Sequence, residues 1–123
     1  MTGIELIAEE RKRQIEVEGF NAEHDDDVYH ESGELALAAA CYASPINLYQ
    51  CEITTRGTLY SDPWPNLWEG AQDKRKRRDP WFNIIEPNGS LPSTERIRNL
   101  VKAGALVAAE IDRLQREQQN ESH

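Results

Sequence analysis

Residues 93–119 carry the pattern that most constrains the fold of this chain. The start signal Pro92-Ser93-Thr94 precedes the pattern, and the polar residues 116–123 follow it as a tail that is expected to fray. Apolar or small residues recur there at helical spacing, namely Ile97, Leu100, Val101, Gly104, Ala108 and Ile111. The pattern predicts a long C-terminal helix that packs this stripe against the rest of the molecule.

A first helix is predicted between Thr2, which can cap it, and Gly19, which ends it. Arg11 falls on the apolar face, and an arginine there either extends past the core to solvent or points into a site. The stripe of this helix consists of Ile4, Ile7, Ala8 and Ile15.

A second helix is predicted over residues 32–43, ended by Pro45. Its expected buried face consists of Leu35, Ala38, Ala39 and Tyr42. The alanines at 38–40, together with Gly104, permit close helix contacts, and such contacts between chains would make the protein a homo-oligomer.

Residues 45–92 differ from the rest because they hold all three tryptophans and the basic run 74–78 but no sustained periodicity. Residues 51–60 are expected to form a short hairpin that turns near Gly57. The fold class is therefore mainly α: a small bundle of about three helices with a long, irregular, aromatic-rich insert and a short β-hairpin. The chain divides into N-terminal helices with an acidic loop (1–44), the insert (45–92) and the C-terminal helix (93–119) within one domain (1–123).

The composition excludes several classes of protein. A chain of 123 residues is one domain, which excludes a multidomain enzyme. The longest uncharged apolar run spans only residues 35–43, so no membrane span is expected, and the start of the chain lacks a basic and apolar leader, which favours the cytoplasm. Cys41 and Cys51 lack the Cys-x-x-Cys spacing and are expected to stay unpaired.

The net charge of −8 is concentrated in the first 34 residues, which hold eleven acidic and three basic side chains. An acidic surface repels phosphates, so duplex nucleic acid is not an expected partner. Phosphate-binding loops, dinucleotide fingerprints and the Gly-x-Ser-x-Gly elbow are all missing from the sequence.

The densest cluster of metal-ligand types surrounds residues 21–29, which we predict to be a loop. Carboxylates suit Mg²⁺ or Mn²⁺, and an added histidine favours a transition metal. The alternative is a solvated loop whose aspartates cap the next helix. The candidate metal ligands are His24, Asp25, Asp26, His30, Glu31, Glu34 and, from the last helix, Glu110.

A second cluster combines aromatic and basic side chains. Rings stack on bases and guanidinium groups pair with phosphates, so these residue types suit a nucleotide pocket. The alternatives are tryptophans that pin the insert onto the bundle and a solvated basic run. The candidate ligand-binding residues are Arg11, Trp64, Trp68, Lys74, Arg75, Arg77, Arg78, Trp81, Arg96 and Lys102.

Several stretches of the sequence resemble a group of small proteins encoded by tailed phages and prophages. They read EERKRQ at 9–14, EGF at 18–20, EHDD at 23–26 followed by His30, GELALAAACYA at 33–43 and NLVKAGALVAAEIDRL at 99–114. The group is distantly similar to segments found beside all-α nucleotide pyrophosphohydrolase domains. That similarity implies a Glu-x-x-Glu metal pair at Glu31 and Glu34, whereas residues 110–112 are one residue short of the partner Glu-x-x-Asp motif.

Three functions follow from these patterns. The favoured hypothesis is a phage-encoded accessory protein that binds a nucleotide or a nucleotide-derived signal and sequesters a host immune messenger. The second is a divalent-metal-dependent nucleotide phosphohydrolase. The third is an acidic protein inhibitor of a host defence complex that binds nucleic acid.

Overall fold

The computed structural model describes residues 1–27, 30, 33–46, 48–65, 68, 75 and 91–121. Within these residues, the helices are α1 (Gly3–Glu16), α2 (Ala22–Asp25), α3 (Glu34–Ala43) and α4 (Ser93–Glu121), and the strands are β1 (Gln50–Thr54) and β2 (Gly57–Ser61). The predicted fold class, a mainly helical protein with a β-hairpin, is confirmed. Within the described residues, no helix has the length and apolar character needed to cross a membrane.

Helix α1 begins at a capping box. The Glu5 N–H donates to the Thr2 hydroxyl at 3.2 Å, and the Thr2 N–H donates to the Glu5 carboxylate at 3.0 Å. At the other end, Gly19 adopts a φ of 74°, which brings the Phe20 N–H within 2.9 Å of the Gln14 carbonyl. This glycine turn directs the chain back along α1.

The acidic segment is not a loop throughout, as the sequence predicted, because it contains the short helix α2. Asn21 caps this helix by accepting the His24 N–H at 3.0 Å. Asp25 is buried although the surrounding residues are polar, since an arginine partner neutralises its charge.

Helices α3 and α4 form the apolar core. The predicted inner face of α3 is correct, because Leu35, Ala38, Ala39 and Tyr42 are all buried. From α4 the core receives Ala103, Leu106 and Ala109. Small side chains on both helices permit close approach, so Ala38 and Ala39 serve a contact within the chain.

The predicted inner faces of the two other helices are largely wrong, although Val101 of α4 is buried as predicted. On α4, Ile97 and Ile111 are each 51% exposed, and on α1, Ile4 is 82% exposed. The buried residues of α1 are instead Glu10 and Gln14. The apolar spacing was misleading because the inner faces of both helices also carry polar side chains. Glu10 of α1, for example, pairs with Arg98 of α4.

Gly104 of α4 packs tightly against Ile7 of α1. A Cβ atom at this position would lie 2.5 Å from Cδ1 and 2.7 Å from Cγ1 of Ile7. The glycine therefore serves the contact between two helices of one chain.

Strands β1 and β2 pair antiparallel, from Gln50 opposite Ser61 to Thr54 opposite Gly57. The predicted hairpin and its turn near Gly57 are confirmed. Nearly all of its side chains are exposed, Ile53 and Tyr60 among them. Both cysteines are free, with Cys41 buried in α3 and Cys51 exposed on β1.

Candidate functional site

A cavity of about 380 Å³ lies where α1, α3 and α4 meet the start of the insert. Aromatic, carboxylate, amide and basic side chains converge on it from separate elements. The lining residues are Glu10, Arg13, Gln14, Glu18, Phe20, His24, His30, Leu35, Tyr42, Trp64, Trp68, Lys102 and Leu106.

Six rings form a continuous series around this cavity. Phe20 stacks on His24 with ring centroids 4.5 Å apart, and His24 lies 4.7 Å from His30. The series continues through edge contacts, at 5.4 to 5.7 Å, from His30 to Trp68, Trp64 and Tyr42. Such a wall offers ring faces and edges to a flat guest.

Two deeply buried side chains of the cavity leave polar atoms unpaired within the described part of the chain. Gln14 is only 4% exposed, and its Nε2 donates to Glu10 at 3.3 Å while its Oε1 accepts nothing. His30 is 6% exposed, and its Nδ1 has no partner. Trp64 Nε1 is unpaired as well. All three atoms are closed to solvent as well, so they reach a polar guest only after these side chains rotate toward the cavity.

Glu10 organises the charged end of the cavity. Its carboxylate accepts two hydrogen bonds from Arg13, at 2.8 and 2.9 Å, and lies 2.9 Å from Arg98 of α4. Burial alone would raise the pKa of Glu10, but the Arg13 hydrogen bonds and the Arg98 charge outweigh it, so this pKa is lowered. Arg13 also binds Glu18 at 3.0 Å, so its charge is fully compensated.

Among the described residues that line the cavity, Lys102 is the cation that makes no salt bridge, although the charges of Glu10 and Glu18 also act on it. Its ammonium lies 5.9 Å from the centre of the Tyr42 ring, and no carboxylate of the described residues lies within salt-bridge distance of it. Burial, followed by the charge of Arg98, lowers the pKa of Lys102. An anion bound here would relieve both effects.

His30 is held in its neutral form. Burial, followed by the neighbouring His24, lowers the pKa of His30 below the ordinary value of 6.5. A neutral imidazole offers one donor and one acceptor, so the unpaired Nδ1 can serve a guest in either role.

The structure brings some of the predicted ligand-binding residues to this cavity. Trp64, Trp68 and Lys102 line it, and the Arg75 guanidinium lies 4.8 Å from the centre of the Trp64 ring. Arg75 also binds Asp62 at 2.8 Å. The remaining basic and aromatic candidates of the insert, Lys74, Arg77, Arg78 and Trp81, lie outside the described residues.

Two predicted ligand-binding residues lie elsewhere. Arg11 donates to Asp25 at 3.1 Å and to the Phe20 carbonyl at 3.1 Å, and it does not line the cavity. Arg96 approaches the Ser44 carbonyl, at 3.4 Å, near the end of α3. Arg11 therefore supports the wall of the cavity from outside.

The predicted metal ligands are divided between the cavity and three ion pairs. His24 and His30 line the cavity, whereas Asp25 binds Arg11. The other paired carboxylates are Asp26, held by Arg116 at 2.7 Å, and Glu110, held by Arg113.

Among the described residues, no three His, Cys, Asp or Glu side chains form a group suited to a metal ion. Glu34 is buried at the start of α3, and Glu31 lies outside the described residues. Metal binding by the acidic segment therefore stays a prediction.

The sequence interpretation missed the contribution of α1 to the cavity. Glu10, Arg13 and Gln14 fall in the stretch EERKRQ, and Glu18 and Phe20 in the stretch EGF, both of which carried the resemblance to phage proteins. The resemblance implies no role for these residues. The sequence signal that could have identified them is the repeat of polar residues one helical turn apart, at Glu10 and Gln14.

Comparisons of the chain with models of protein families, with curated proteins and with solved structures find no match. The resemblance to phage proteins stays a prediction from the quoted stretches.

Proposed function

We propose that this protein binds a nucleotide or a nucleotide-derived signal in the cavity between α1, α3 and α4. The observation that carries the proposal is the convergence on a single cavity of a wall of rings, unpaired buried polar atoms and a cation that makes no salt bridge to a described residue. A nucleotide combines the three matching features: a flat heterocycle, polar ring edges and a phosphate.

The heterocycle is expected to lie among the rings of Trp64, Trp68 and Phe20. Stacking of a base on an aromatic side chain contributes about 1–3 kcal/mol per base. Gln14 Oε1 can accept a hydrogen bond from its edge and Trp64 Nε1 can donate one, but both atoms are closed to solvent, so each contact requires the side chain to rotate toward the cavity.

The described lining residues carry two carboxylates, Glu10 and Glu18, and two cations, Arg13 and Lys102, so their formal charges cancel. Arg13 pairs with both carboxylates, whereas Lys102 makes no salt bridge to a described residue, so a bound anion meets one cation and has two carboxylates nearby. A phosphodiester, as in a cyclic nucleotide, or one phosphate ester fits this balance better than a triphosphate.

Binding without turnover is favoured over phosphohydrolysis by the partners of the predicted metal ligands. Asp25, Asp26 and Glu110 each have a guanidinium partner, which competes with a divalent cation for the carboxylate. In this proposal the ligand is released chemically unchanged. The proposed setting, a phage accessory protein that sequesters a host immune messenger in the cytoplasm of the infected cell, rests on the resemblance.

The proposal is tested by calorimetric titration with matched ligands: adenosine and guanosine, their 3′,5′-cyclic monophosphates, cyclic dinucleotides and the triphosphates. Lys102→Met should weaken binding of a phosphate-containing ligand by about tenfold or more and leave binding of a nucleoside unchanged. Lys12→Met, which removes an exposed lysine of α1, is the matched control. Equal affinity of wild type and Lys102→Met for every phosphate-containing ligand would reject the assigned site.

A further inference from the structure

Helix α4 presents a second apolar row that faces away from the core. Its members alternate at spacings of three and four residues, and each large side chain is about half exposed. Gly104 completes the spacing, and Ile7 of α1 fills the space beside it. The row consists of Ile97, Leu100, Gly104, Val107, Ile111 and Leu114.

This spacing is the heptad pattern with which two helices pack along their length. Lys102 and Leu106, which line the cavity, lie on the opposite side of α4 because successive residues are rotated by about 100°. The row is therefore independent of the proposed ligand site, and a protein bound to it leaves the cavity accessible.

The two halves of the row differ in shape. Around Leu100 and Val107 the surface is a shallow groove between α3 and α4, bordered by Ala36, Ala40 and Ala43. Toward the other end, Ile111 and Leu114 project from α4 where no element of the described chain borders it. A groove at one end and projecting side chains at the other fit each other when two copies pair antiparallel.

Charge at the margin of the row supports the same arrangement. Arg96 lies directly before Ile97, and Glu117 lies three residues after Leu114 at the equivalent heptad position. Within the chain, Arg96 contacts the Ser44 carbonyl at 3.4 Å, and Glu117, whose side chain is 53% exposed, pairs with Arg113 at 3.2 Å. In an antiparallel pair that places Ile97 beside the second copy's Leu114, Arg96 lies beside the second copy's Glu117, and the two-fold axis repeats this attraction at both ends of the interface. A parallel pair does not bring these two equivalent heptad positions together.

We propose that a second copy of this chain docks antiparallel on the outer row of α4, with Ile111 and Leu114 of each copy in the groove between α3 and α4 of the other. Of the small residues first predicted to mediate contacts between chains, Ala38 and Ala39 are buried within the chain, whereas Ala40 is exposed at the groove and Gly104 lies in the row beside Ile7. The large residues of the interface are ones that the sequence pattern assigned to the core.

Sedimentation equilibrium of the full chain tests this proposal. The wild type should have twice the chain mass of 14.1 kDa at micromolar concentration, and Ile111→Lys should weaken the association at least about 100-fold. Ile53→Lys, an equivalent change on the exposed hairpin, is the control that should leave the dimer intact. A monomeric wild type at all concentrations, or a dimer that Ile111→Lys does not weaken, would overturn the proposal.

Charge reversal tests the antiparallel register separately and does not depend on tolerance of lysine at position 111. Arg96→Glu and Glu117→Arg should each weaken the dimer, and the double variant should recover at least half of the lost association free energy. Circular dichroism verifies that each variant is folded. A double variant weaker than either single one would contradict the antiparallel pairing.

Discussion

Arg11 of α1 donates a hydrogen bond at 3.1 Å to the carboxylate of Asp25, a side chain that is 1% exposed. The same carboxylate contacts His24 Nδ1 at 2.9 Å, and Arg11 also holds the Phe20 carbonyl. These contacts fix the segment that supplies the Phe20–His24 stack to the cavity. The acidic segment therefore acts on the site by supporting its aromatic wall.

Loss of the Asp25 charge should destabilise the protein strongly. Asp25→Asn leaves the Arg11 guanidinium, 13% exposed, with the half-exposed Asp112 at 3.6 Å as its remaining carboxylate. Loss of the buried charged hydrogen bond should cost about 1.5–3 kcal/mol. Urea denaturation measures the free energy of unfolding, with Glu23→Gln, an exposed neighbour on α2, as the control. A loss as small as that of the control would show that the pair has no structural role.

Gln14→Met should separate stability from binding. The substitution removes a buried oxygen that has no partner, so the free energy of unfolding should stay within about 1 kcal/mol of the wild-type value or increase. Affinity for the nucleotide should fall because the guest loses its acceptor. Thermal denaturation and calorimetry on one preparation provide both values, and unchanged affinity would remove Gln14 from the site.

Gly104→Ala should destabilise the contact between α1 and α4 by about 1–3 kcal/mol, since the added methyl group collides with Ile7. The helix preference of alanine offsets part of this cost. Ile7→Ala, which frees the space, should make the second Gly104→Ala substitution neutral or stabilising. The double-mutant cycle is the measurement, and additive effects would contradict the contact.

Stability should fall as the pH decreases through 6.5. The pKa of His30 is lowered in the folded protein, so the unfolded chain binds the proton first and stability is lost below the ordinary value of 6.5. Glu10, whose pKa is also lowered, adds a further loss below 4.5. The midpoint of thermal unfolding between pH 5 and 8 should depend less on pH in His30→Asn. An identical pH profile in that variant would exclude His30 as the source.

The sequence predicted those elements whose pattern has a single interpretation. The inner face of α3 is correct because Leu35 and Tyr42 lie on the same side of the helix, and the hairpin is correct because strand formers surround Gly57. The inner face of α4, apart from the buried Val101, is wrong because this helix has two apolar sides. Its exposed row of large residues follows the helical spacing more clearly than the buried side, where Asn99, Glu110 and Arg113 accompany the alanines.

The candidate site was predicted in part for a similar reason. Trp64, Trp68 and Lys102 could be predicted because aromatic and basic side chains suit a nucleotide wherever they lie in the sequence. The structure places all three at the cavity. Gln14 and Phe20 gain their roles from the turn at Gly19, which folds the chain back along α1. Sequence spacing contains no information about such a long-range approach.

The central claim is tested most directly by incubating the purified protein with Mg²⁺ and the nucleotide panel, then measuring free nucleotides by mass spectrometry before and after heat denaturation. The account predicts that one class of ligand with a single charge beside its base disappears from solution and returns intact on heating, and that Lys102→Met fails to deplete it. Persistence of every nucleotide in solution at micromolar protein, or the appearance of cleaved products, would contradict the account.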